Sequence, residues 1–113
     1  MKFMLMLYAD EKAGAAISPE DMAGFMGQLG AYQETLRKAG AFVSTAGLLP
    51  TTTAKTISNA DGNLQVHDGP YADTREQFGG YFMIEAPDMD EAIRLAALCP
   101  AASWGKIEIR TFA

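Results

Sequence analysis

Residues 2–9, KFMLMLYA, and residues 81–86, YFMIEA, read as β-strands with apolar side chains on both faces. In the first, Phe3, Leu5 and Leu7 point one way and Met4, Met6 and Tyr8 the other, because side chains alternate along an extended chain. A strand with one face in water alternates apolar and polar residues, and neither segment does so. Both strands therefore need cover on two sides, and the fold must supply it.

The rest of the chain predicts cover for one side only. Ser18-Pro19-Glu20-Asp21 is a helix start: a hydroxyl cap, proline at the first helical position, and acids at the positive end of the dipole. Met22, Phe25, Met26, Leu29, Tyr32 or Gln33, and Leu36 follow at helical spacing to about Ala39, with Gly40 closing the helix. Gly30 lies on or beside this stripe, which predicts a close approach to a sheet. AFVSTAGLLP reads as a strand ending at Pro50, and TTTAKTISN with LQVHD as a hairpin across ADGN. Asp88 caps a second helix over 89–98, and GKIEIRTF is the last strand, with Ile107 and Ile109 facing inward. The order β-α-β-(hairpin)-β-α-β is that of an α+β, ferredoxin-like antiparallel sheet with two helices on one face. No segment remains for the second face, so a second copy of the chain is expected to cover it, making a homodimer.

The 113 residues form one domain, 1–113, of globular composition, 49% hydrophobic and 20% charged. A net charge of −5 without a basic cluster argues against direct nucleic-acid binding. The apolar start runs directly into Asp10 and Glu11 and is too short to cross a bilayer, so no membrane segment is expected. One cysteine, Cys99, and one histidine, His67, make a His/Cys metal site improbable and suit a reducing cytoplasm. No cofactor signature is present: there is no GxGxxG and no GK[ST]. The methionines fall mostly on predicted buried stripes, where they read as core filling, or alternatively as the lining of a plastic apolar pocket. Trp104 reads as a dimer-edge or packing aromatic, or alternatively as a ligand platform. Cys99 has no basic neighbour to make it a nucleophile.

The chemistry is densest in HDGPYADTREQFGG, residues 67–80. Asp68-Gly69-Pro70-Tyr71 predicts a rigid turn in which Asp68 bonds nearby backbone N–H groups, or presents a carboxylate to a pocket. His67 is either a solvated strand histidine or a general base. Asp73, Arg75, Glu76 and Gln77 read as a solvated loop, or as groups in which Arg75 or Gln77 meets a ligand carbonyl or carboxylate. Tyr8 and Asp10 end the first strand, where Tyr8, Asp10, Asp68 and Glu76 would converge if the topology brings them to one mouth. Such a set would suit acid/base chemistry or a hard cation. Asp68, Glu76 and His67 are therefore the catalytic candidates. Tyr8, Asp10, Asp68, Tyr71, Arg75 and Gln77 are the ligand-binding ones.

MLMLYADE, HDGPYADTREQFGGYFMIEAPDMDEAIRLAALCPAA and IEIRTF together resemble the YCII-related, DGPF-motif family over nearly the whole chain. That resemblance implies a dimeric α+β barrel, with a link to sigma-factor regulation for some members. Tyr71 stands where the motif usually has phenylalanine. Some relatives have a proposed His–Asp pair with the histidine in the first helix region; SPEDMAGFM has none, so the pair does not carry over. Two functions follow: a small-ligand or partner-binding protein in an accessory or regulatory role, or a cofactor-independent enzyme using acid/base carboxylates on a small organic substrate.

Overall fold

The computed structural model describes all residues, 1–113. Strands β1 (Lys2–Ala9), β2 (Phe42–Gly47), β5 (Gln77–Glu85) and β6 (Lys106–Thr111) form one antiparallel sheet in the order β2-β5-β1-β6. The two strands that need cover on both faces are thus its central pair. The remaining strands, β3 (Lys55–Ser58) and β4 (Gln65–Asp68), pair only with each other. The fold is α+β. No helix is long and apolar enough to cross a membrane.

Three helices accompany the sheet: α1 (Glu11–Ala15), α2 (Pro19–Lys38) and α3 (Met89–Ala97). Both long helices start as their caps dictate. Ser18 Oγ accepts from the Asp21 N–H at 3.1 Å, and Asp88 Oδ1 from the Glu91 N–H at 2.9 Å. Both pack on the same sheet face. Phe3, Leu5, Phe82 and Ile84 meet Tyr32 and Leu36 of α2 and Ala92, Leu95 and Ala96 of α3 in one core. Ile107 and Ile109 pack against its edge, as their alternation predicts. On the opposite face Met4 pairs with Met83 and Met6 with Tyr81, and no helix covers them.

Several sequence expectations change. Helix α1 was not expected; Asp10 creates it, its Oδ1 accepting from the N–H groups of Lys12 and Ala13 at 2.9 and 3.3 Å. Strand β2 ends at Gly47 rather than Pro50, and β5 begins at Gln77, so the segment read as loop is partly strand. None of the seven methionines belongs to the buried core. Gly30 does not mark a close approach: a Cβ there would meet nothing within 4 Å. The close approach is at Gly105, where an added Cβ would lie 1.9 Å from the Tyr8 carbonyl oxygen.

Candidate functional site

The apolar stripe of α2 is filled at one end only. Tyr32 and Leu36 are buried, with the Tyr32 ring edge-on to Phe82 at 5.0 Å. Toward the N-terminus the helix rests instead on a contact from another element: Phe25 packs against Trp104 at 4.8 Å. Leu29, between these two aromatic contacts, is half-buried against the core. Met22 and Met26, on the same stripe, stay 38% and 58% exposed. The result is a cleft of about 680 Å³ walled by Met22, Met26 and Leu29 on the helix side and Leu7 and Phe82 on the sheet side, with Trp104 beside them. Gly30 also lines it, so the missing side chain leaves the space open.

Polar groups gather at one end of this cleft. Glu11 holds the loop after β2, accepting from the Thr51 N–H and hydroxyl at 2.8 and 2.6 Å. Its own N–H donates to Gln77 Oε1 at 2.9 Å, while Gln77 Nε2 donates to the Thr74 carbonyl at 2.7 Å. Three chain segments distant in sequence are thereby clasped together. A second hollow of about 770 Å³ lies on the other side, lined by Tyr8, Phe78, Pro50 and Pro70 among others. Tyr8, Leu48 and Gln77 border both spaces. The Tyr8 ring packs against Phe78 at 5.6 Å.

Tyr8, Asp10 and Gln77, of the residues singled out in the sequence, line the α2 cleft together. Glu76 is nearby through Lys106, which donates to its carboxylate at 3.2 Å and pairs with Tyr8 in register. Asp68, His67 and Tyr71 are elsewhere. Asp68 does not make the expected turn; its carboxylate pairs with Lys55 across the hairpin. Gly69, at φ +101°, makes the turn instead, its N–H donating to the Ala54 carbonyl at 2.7 Å and its own carbonyl accepting from Thr56 Oγ1 at 2.8 Å. His67 stands exposed on β4 opposite Thr56, Tyr71 is 92% exposed, and Arg75 is exposed in the loop before β5. No group of three or more His, Cys, Asp or Glu side chains is arranged to hold a metal ion, so Asp10, Asp68 and Glu76 do not form one carboxylate cluster.

Glu11 and Thr51 are the residues that sequence reading passed over. In sequence Glu11 is a polar residue following a strand and Thr51 one of three threonines, and nothing local marks them as partners. Burial raises the titration of two groups, the Tyr32 phenol and the Cys99 thiol. Both lie in the core and neither lines the cleft, so Cys99 is held further from the reactive thiolate.

The YCII-related domain matches residues 1–112 of this chain. An uncharacterised protein of Rhizobium meliloti (strain 1021) is 36% identical over 115 residues, an alignment spanning 100% of this chain and 93% of that protein. The match extends across the central strands, both long helices and the whole cleft, and on it the chain belongs to the YCII-related family.

Proposed function

We propose that this protein is a homodimer that holds a small apolar ligand in the cleft between α2 and the sheet, in an accessory or regulatory role. The observation that carries the ligand reading is the unfilled stripe. Met22 and Met26 face open space of about 680 Å³, within the range of small-molecule sites, while Leu29 beside them packs against the core. Methionine-rich walls adapt to varied apolar shapes. Binding is favoured over turnover by the state of the nearby polar groups. Both Glu11 oxygens and both ends of the Gln77 amide are already engaged within the protein.

The dimer half of the proposal rests on the other sheet face. Met4, Met6, Tyr81 and Met83 make an apolar centre there, and Lys106, Glu108 and Arg110 alternate in sign along the neighbouring edge strand. A face with both charge signs at its edge can pair with its own copy about a two-fold axis, closing two sheets into a barrel.

Gly30→Leu tests the ligand reading. Leucine suits a helix better than glycine by roughly 0.5–1 kcal/mol, and a Cβ at Gly30, which lines the cleft, would meet nothing within 4 Å. Native mass spectrometry of protein purified gently from its own host should show a small-molecule adduct in the wild type and none in the folded variant. Equal adducts in both, or none in either, would overturn the cleft as the ligand site.

A further inference from the structure

We infer that the cleft selects a ligand with an apolar body and a cationic head, an amine in preference to a carboxylate or phosphate. The inference rests on the cleft being the ligand site, and adds the sign of the ligand's charge.

The lining of the cleft carries charge of one sign only. Asp10 and Glu11 are its charged residues, and no lysine, arginine or histidine lines it. An anion entering this space would leave water and meet no compensating cation, while facing two carboxylates, a combination that disfavours binding. An ammonium group would meet the reverse.

Asp10 is the carboxylate with capacity to spare. Glu11 has both oxygens on Thr51. Asp10 uses Oδ1 for the two N–H groups that start α1, and its Oδ2 has no partner within the protein. A half-buried carboxylate with one oxygen fixed and the other free is oriented by its cap role and available to a donor. Trp104 also lines the cleft, and aromatic faces attract cations. The methionine wall takes the apolar body. The two halves of the ligand thus find two chemically distinct ends of one cleft.

Three probes sharing a planar body and differing in charge decide the matter: naphthylmethylamine, naphthalenemethanol and naphthoate, titrated calorimetrically at neutral pH. The amine should bind about tenfold or more tightly than the alcohol, with naphthoate weakest. Asp10→Asn keeps a good helix cap while removing the charge. It should abolish the amine's advantage and leave the alcohol's affinity in place. Gly30→Leu should lose all three.

Equal affinity for amine and alcohol would overturn the inference and leave the cleft reading standing. So would tightest binding of naphthoate, or an amine preference that survives Asp10→Asn. Binding of none of the three, or binding undiminished by Gly30→Leu, would overturn both.

Discussion

Thr51 donates both its backbone N–H and its hydroxyl to the carboxylate of Glu11, at 2.8 and 2.6 Å. Through this pair, the loop leaving β2 is fastened to the start of α1. Glu11 in turn binds Gln77 at the start of β5, by its own N–H at 2.9 Å. The clasp forms the polar end of the α2 cleft, and Gln77 is shared with the hollow on the other side.

Glu11→Ala should therefore destabilise the protein by about 1–3 kcal/mol, since hydrogen bonds to a charged, half-buried acceptor are worth more than neutral ones. Thr51→Val removes the hydroxyl donor alone and should cost about 1 kcal/mol. The two changes should not add in the double variant, because they break one interaction. Urea-denaturation midpoints for the three variants measure this, and strict additivity would show that Glu11 and Thr51 act independently.

Gly105→Ala should be among the most damaging single substitutions in the chain. Its Cβ would lie 1.9 Å from the Tyr8 carbonyl oxygen and 3.0 Å from the Tyr8 carbonyl carbon, both backbone atoms in the central strand. Neither can swing away as a side chain would, so β6 must shift against β1. A loss above about 3 kcal/mol, or failure to fold, is expected from overpacking of this kind. A thermal midpoint close to the wild type would contradict the close approach.

Stability should decline on the alkaline side in two stages. Burial raises the Cys99 thiol above its ordinary value, and burial together with the neighbouring Cys99 raises the Tyr32 phenol. The unfolded chain releases these protons near pH 8.5 and pH 10, about the ordinary values for a thiol and a phenol. The folded chain holds them longer, so their contribution is complete below those pH values and is lost as pH climbs toward the folded-state ones. Cys99→Ala should remove the first stage. Tyr32→Phe should remove the second, at a cost of about 1 kcal/mol at neutral pH for the hydrogen bond to the Leu95 carbonyl. Unfolding free energy followed against pH checks both; a profile that stays level from about pH 8 to about pH 11 would exclude the linkage.

Met83→Glu should convert the proposed dimer to a monomer. Met83 pairs with Met4 at the centre of the sheet face that no helix covers. In a single chain a glutamate there reaches water; in a sheet-on-sheet dimer it is a buried charge without a partner. Light scattering at micromolar concentration should give twice the chain mass for the wild type and the chain mass for a folded variant. A monomeric wild type would refute the dimer.

The sequence by itself determined the local elements and which faces of them are apolar. Ser18 and Asp88 cap the helices they were expected to cap, the central strands are the two segments apolar on both sides, and Ile107 and Ile109 face inward. Caps act within one turn and strand alternation has a period of two, so each is written in neighbouring residues. Only the tertiary structure decided whether an apolar stripe would be filled. The stripe of α2 reads the same at Met22 and Met26 as at Leu36, yet one end is core and the other is cleft. That outcome depends on what each side chain meets, as in the Phe25–Trp104 and Tyr32–Phe82 contacts, made between residues far apart in the chain. The same holds for the clasp between Glu11, Thr51 and Gln77 and for the contact of Gly105 with Tyr8. Periodicity records which way a side chain points, and only the packed fold determines what it meets.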